Sequence, residues 1–249
     1  ARELSETDRN ILTALAEKYK NKACYYIPDA QMLEGFTIRA THNRLSLAAY
    51  YRCFLSALLP ESIDRVLYLD CDIVILGDIT PLWRTPLDAH TGVAVVEDTG
   101  CKELQRYEIL QYPAEDSYFN SGVLLINLAY WREHHIAQAC VDYYRAYPER
   151  IIFNDQDLLN VQDGFYRNHP AISPEWRKAH AETLRHPVVL HYTNRKPWNY
   201  DSQHPLRDVY FQYLDLTPWK GERPWHSVKN RFKRFFRLLP FYIGMRKAK

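Results

Sequence analysis

Val66-Leu67-Tyr68-Leu69-Asp70-Cys71-Asp72-Ile73-Val74-Ile75-Leu76 is the stretch on which the reading of this chain turns. Arg65–Leu69 is rich in apolar and β-favouring residues, which predicts a strand buried on both faces. Two carboxylates then interrupt the run before Ile73–Leu76 continues it. A bare buried carboxylate costs several kcal/mol, so such groups pair with a cation or lose their charge. Open α/β sheets place ligands at the carboxyl ends of their strands, where Asp70 and Asp72 fall. Hard carboxylate oxygens suit Mg²⁺ or Mn²⁺. The same pair can also do no more than cap a loop.

Working outward, strands and helices alternate. Ser5-Glu6-Thr7-Asp8 is a capping box, and Ile11, Leu12, Leu15 and Tyr19 continue a helix over about 6–19. Ala23–Ile27 is a short strand candidate, and Asn43–Leu59 a helix ended by Pro60. Gly92–Val96, Val123–Ile126 and Pro187–Leu190 are further strand candidates. Leu128–Tyr147 is a long helix candidate, and Gln156–Gln162 and Arg207–Leu214 are short ones. The alternation predicts an α/β, Rossmann-like domain with a mostly parallel sheet. It occupies residues 1–218 and is followed by a tail over 219–249.

Composition narrows the classes. The 249 residues are 47% hydrophobic and 25% charged, the balance of a globular protein. The formal net charge of +2 hides an asymmetry. Residues 229–249 hold eight Lys or Arg and no acid, which leaves 24 basic and 30 acidic residues elsewhere. An acidic body disfavours nucleic acid as a partner. The five cysteines form no CxxC pair, so a zinc ribbon is excluded and reduced, mostly buried thiols are expected. No apolar run reaches the length of a membrane span.

Four more clusters carry chemistry. His191 ends the Val188–Leu190 run and is followed by Asn194, Arg195 and Lys196. An imidazole beside two carboxylates shifts preference from Mg²⁺ toward Mn²⁺, and Lys196 can neutralise a diphosphate. A core histidine with a solvated basic turn is the plainer alternative. Asn154-Asp155-Gln156-Asp157 precedes a helical run; Asp155 and Gln156 can read sugar hydroxyls, while Asp157 equally suits a helix cap. In Tyr118-Phe119-Asn120-Ser121-Gly122 the small pair permits close approach to a ligand, and Asn120 offers a donor and an acceptor or equally serves as a turn residue before a strand. Arg52, on the helix before the Asp70 strand, can reach a phosphate or remain a surface arginine.

The five pieces stand in one order, from Tyr50-x-Arg52 to His191-Tyr192…Lys196-Pro197-Trp198. Over about residues 40–200 this set resembles the retaining glycosyltransferases of family eight. These include bacterial enzymes that add galactose or glucose to lipopolysaccharide, and glycogenin. The resemblance implies a GT-A type domain and transfer of a hexose from a UDP-sugar to a saccharide or glycolipid acceptor. By it, Asp70, Asp72 and His191 match ligands of Mn²⁺, with Mg²⁺ as a substitute. Arg52, Asp70, Asn120, Asp155, Gln156, Asn194 and Lys196 match donor-binding positions. Gln156 matches the position facing the anomeric carbon, with Asp155 as the rival catalytic group. Glu97 and Asp98 match acidic positions near the acceptor. The loop from His191 to Lys196 is one residue shorter than in the family pattern. The family's opening strand and Ala-x-Asp-x-x-Tyr-like segment have no counterpart ahead of the first helix, so the chain is expected to start after them.

A departing diphosphate gathers negative charge, which a divalent cation and Lys196 offset without a protonated acid. Retention then needs either same-face attack or a covalent intermediate. Gln156 is a poor nucleophile, which favours the former. A hydrolase of nucleotide sugars and a non-catalytic, membrane-bound remnant are the competing readings.

From Val228 to Leu239 the tail places Val228, Phe232, Phe235, Phe236 and Leu239 on one helical face and Lys229, Lys233 and Arg237 on the other. This pattern predicts a helix over 228–239 lying on an anionic membrane surface, and a peripheral protein on the inner face of the cytoplasmic membrane. Docking of that helix on its own domain is the alternative.

Overall fold

The structure is a computed structural model. It describes residues 4–38, 46–98, 105–113, 116–162, 187–193, 196–199, 202, 204–223, 229, 231–233, 235–236 and 239. The chain divides into two compact units, one of Ala1–Leu69 and Ile79–His186, the other of Asp70–Asp78 and Pro187–Lys249.

The first unit is built on three strands, β1 (Arg65–Leu69), β3 (Val93–Glu97) and β4 (Phe119–Asn127), in the order β1-β4-β3. β4 is the centre of the core. Its Val123, Leu124, Leu125 and Ile126 are all buried, and each such side chain contributes about 1.5–3 kcal/mol. Helices α5 (Leu128–Glu133), α6 (Ile136–Ala146) and α7 (Asp155–Asn160) complete this core through Leu128, Trp131, Ile136, Cys140, Leu158 and Leu159. The buried Trp131 indole donates to Gly92 O at 3.0 Å, which ties α5 to the start of β3.

In the second unit β2 (Ile73–Ile75) pairs with β5 (Val189–His191), above a small core of Val74, Leu190 and Tyr192. Helix α8 (Arg207–Leu214) follows, and Leu206, Val209 and Tyr210 pack on this core. Burial pushes the Tyr192 hydroxyl up to about 12, so it remains a donor, to Leu206 O at 2.9 Å.

The α/β class holds, with several local differences from the sequence reading. All described strand pairs are antiparallel, not mostly parallel. β1 and β3 do run the same way, as helical connections between strands require, but β4 enters between them from the opposite direction. β1 is half-buried along its whole length because it is the end strand of this order. Ala23–Ile27 is not a strand, and Tyr25, Tyr26 and Ile27 are exposed. Leu47–Phe54 is a 3-10 helix followed by the short α2 (Leu55–Leu58). The long helix breaks at His134–His135, where His135 takes φ 50° and His134 stacks on Tyr130 at 3.7 Å. The first helix stands as expected. α1 (Glu6–Lys18) is capped by Ser5, whose hydroxyl accepts from Asp8 N at 3.1 Å. Cys53 and Cys140 are buried free thiols, whereas Cys24 and Cys71 are exposed. Burial above all pushes the Cys53 thiol up, so it is inert as a nucleophile.

Candidate active site

In the second unit, strand register builds a ligand cluster. β2 pairs antiparallel with β5 so that Ile73 faces His191, and Tyr192 N donates to Asp72 O at 3.0 Å. This lays His191 beside the Asp70-Cys71-Asp72 link. His191 Nε2 is 3.1 Å from Asp72 Oδ1 and 3.7 Å from Asp70 Oδ2. One ligand atom from each of the three residues lies within 4.8 Å of the other two. Asp72 is 6% exposed, and its Oδ1 faces His191 Nε2 without an aligned hydrogen bond. Its Oδ2 accepts from Lys196 Nζ, which also donates to Tyr192 O at 2.9 Å. Burial works to raise the Asp72 pKa, but His191 and Lys196 outweigh it and hold the carboxyl at about 2, well below its ordinary 3.8. The group is therefore ionised at neutral pH. Two carboxylates, an imidazole and a buried carboxylate oxygen held by no aligned hydrogen bond fit a divalent cation of the Mn²⁺ or Mg²⁺ kind. Asn194 and Arg195 lie outside the described residues.

In the first unit a second polar cluster forms where β4, the end of β3 and the start of α7 meet. Arg52 is buried and is not a surface arginine. Its Nε lies 3.0 Å from Asp155 Oδ2, its NH1 donates to Ser121 O at 2.6 Å and to Ser121 Oγ at 3.1 Å, and it stacks over Tyr68 at 4.6 Å. Ser121 Oγ donates to Asp155 Oδ2 at 3.0 Å. Gln156 Oε1 accepts from Ser121 N at 3.1 Å and from Asn120 Nδ2 at 3.3 Å, while Gln156 Nε2 donates to Asp98 Oδ2 at 3.1 Å. Glu97 pairs with Phe119 at the end of the β3–β4 ladder, and Asp98 N donates to Tyr118 O at 2.8 Å. The unit thus assembles Arg52, Asp98, Asn120, Asp155 and Gln156, with Glu97 adjacent. Asn154, just before Asp155, takes φ 53° and ψ −120°, a strained setting for a residue with a side chain, and Tyr50 OH donates to its Oδ1 at 3.1 Å.

Asp157 is a structural residue but not the cap of α7, which starts at Asn154 without a side-chain cap bond. Its carboxylate ties down the preceding loop, accepting from Ile152 N and Phe153 N, both at 2.7 Å, and takes Arg106 NH2 at 2.6 Å and Tyr118 OH at 2.7 Å. Asn160 clamps α7 to β4 by bonding both the N and the O of Phe119. Arg106 and Asn160 are supporting residues that the motifs did not single out, while Tyr118 and Ser121 stood in a motif without the side-chain bonds they make here. Asn160 had a signal, four residues after Gln156 on one helical face; Arg106 had none.

Comparison with known proteins follows the same lines. The model of the family described as glycosyl transferase family 8 matches residues 1–202, and the chain belongs to that family. It is 33% identical to general stress protein A of Bacillus subtilis (strain 168) over 211 residues, covering 77% of this chain and 72% of that protein. It is 28% identical to the lipopolysaccharide 1,3-galactosyltransferase of Salmonella typhimurium over 231 residues, covering 85% of this chain and 66% of the relative. Among solved structures, the galactosyltransferase LgtC, in complex with donor and acceptor sugar analogs, superposes with a TM-score of 0.72. It is 23% identical and the match covers 86% of this chain and 82% of that one, a likeness of fold. The fold is thus that of the GT-A type glycosyltransferases.

Proposed function

We propose that this chain is a retaining hexosyltransferase that moves galactose or glucose from a UDP-sugar to a saccharide or glycolipid acceptor, in lipopolysaccharide or surface-glycan synthesis. The carrying observation is the convergence of the buried Asp72 Oδ1, His191 Nε2 at 3.1 Å and Asp70 within one ligand cluster, in a chain of glycosyl transferase family 8. Asp70, Asp72 and His191 hold the cation, Mn²⁺ in preference to Mg²⁺. When bound, that cation supplies Lewis-acid stabilisation of the leaving diphosphate. Lys196 adds a positive charge for the diphosphate, and Asn194 a further polar contact. Asn120, Asp155 and Gln156 bind the donor hexose, and Arg52 holds Asp155 in place. Glu97 and Asp98 serve the acceptor.

Same-face attack is the mechanism favoured. Gln156 Oε1 already accepts two hydrogen bonds, so the amide has little lone-pair density to offer as a nucleophile. Asp155 Oδ2 is engaged by Arg52 and Ser121. Products from UDP-glucose and UDP-galactose with Mn²⁺, with and without a saccharide acceptor, test the reading. Transfer with an α-linked product is expected from an α-linked donor. Sugar release unaffected by any acceptor would instead mark a hydrolase, and a trapped glycosyl-Asp155 adduct would overturn same-face attack.

Residues 219–249 form a membrane-surface tail in this reading, and residues 1–218 the catalytic domain. Among the described tail residues, 229, 231–233, 235–236 and 239 are helical, Phe232, Phe235 and Phe236 are 53–65% exposed, and Lys229, Arg231 and Lys233 are exposed beside them. Such a segment suits an anionic lipid surface, and no helix among the described residues is long and apolar enough to cross a membrane. The working location is the cytoplasmic face of the membrane. Replacing the three phenylalanines by serine lowers binding to phosphatidylglycerol vesicles at least tenfold in sedimentation; unchanged binding refutes the tail's role.

A further inference from the structure

Gln156 is held by a chain of hydrogen bonds that leaves its amide one orientation. Gly122 N donates to Asn120 Oδ1 at 2.9 Å, which turns Asn120 Nδ2 toward Gln156. Asn120 Nδ2 and Ser121 N then both donate to Gln156 Oε1, at 3.3 and 3.1 Å. A flipped amide would set an NH₂ against these two donors. At its other end, Gln156 Nε2 donates to Asp98 Oδ2 at 3.1 Å. Gln156 sits in the first turn of α7 and Asp98 follows the end of β3, so this bond joins two separate elements. An amide nitrogen carries two N–H groups; with one given to Asp98, the other is what Gln156 has to offer a sugar oxygen.

We infer that Asp98 is a positioning residue for Gln156: its carboxylate fixes the amide so that Gln156 presents an N–H, not an oxygen lone pair, to the donor hexose. This rests on the hexosyltransferase reading and changes the part Asp98 plays in it. Asp98 acts on the donor-side group as well as lying near the acceptor. A purely acceptor-binding Asp98 would leave donor chemistry without acceptor untouched.

Two measurements test this. In ¹⁵N-¹H spectra the Gln156 side-chain amide, assigned by its loss in Gln156→Glu, should move toward the free-amide position in Asp98→Ala and stay near its original position in Asp98→Asn, whose oxygen still accepts. An unmoved signal in Asp98→Ala overturns the inference. In kinetics without acceptor, Asp98→Ala should lower the kcat of UDP release about tenfold with donor KM little changed, and Asp98→Asn should recover most of the loss. Asp98→Ala/Gln156→Ala should be no slower than Gln156→Ala alone. A wild-type rate in Asp98→Ala, with only the acceptor KM raised, overturns the positioning role. If the unaltered protein releases no UDP from any UDP-hexose, the functional reading fails, while the amide signal still decides whether Asp98 holds Gln156.

Discussion

Two acidic clusters, one in each unit, use the same residue types and reach opposite states. Asp155 and Asp157 in the first unit are buried, and arginines answer them: Arg52 at 3.0 Å and Arg106 at 2.6 Å. Every oxygen of Asp157 has a donor. Asp70 and Asp72 in the second unit are answered by His191 and Lys196, and the buried Asp72 Oδ1 has only the His191 ring against it, without an aligned hydrogen bond. A carboxylate with a protein donor on each oxygen, as in Asp157, holds structure. One with a spare, ionised, buried oxygen is arranged for a ligand that is not protein.

The largest expected effect breaks the Asp157–Arg106 pair. Asp157→Ala strands the Arg106 guanidinium, which is 2% exposed, and frees the N–H groups of Ile152 and Phe153. A stability loss of about 3–5 kcal/mol is expected in urea unfolding. A loss under about 1 kcal/mol would mean the two clusters do not differ as described.

Next in size is Asp72→Ala. Its cationic neighbours keep some contact with water, so the stability loss should be about 1–2 kcal/mol, smaller than for Asp157→Ala. Mn²⁺ affinity, read by the free-ion resonance signal, should fall beyond the roughly 10–100-fold typical of outer-shell losses. The reverse pattern would make Asp72 a structural ion pair. The smallest effect is that of Lys196→Ala. Mn²⁺ affinity should hold to within a few fold, while UDP affinity falls about tenfold, the size of one charge-assisted hydrogen bond. Unchanged UDP affinity would reduce Lys196 to a holder of Asp72.

The second cluster was legible in the chain because carboxylates interrupt an apolar run, a break that burial energetics does not tolerate without a purpose. His191, at the end of Val188–Leu190, was legible only beside that pair, since alone it read more plainly as a core histidine. The strand register then supplied what no spacing contains, the pairing of Ile73 with His191. The first cluster was only half legible. Asp155 and Gln156 stood out, but Arg106 lies 51 residues from Asp157 with no pattern linking them. Sheet order escaped for a related reason. Apolar runs mark β1, β3 and β4 as strands, while the insertion of β4 between the other two is decided by packing of buried faces. The break at His134–His135 has no Gly or Pro to announce it.

The most direct test of the account is the release of UDP from UDP-glucose and UDP-galactose by the unaltered chain and by Asp72→Ala, with Mn²⁺ and after its removal by chelation. The account predicts release from one of the two donors, lost on chelation, restored by Mn²⁺, and absent in Asp72→Ala at every Mn²⁺ concentration. Release that survives both chelation and Asp72→Ala would contradict it.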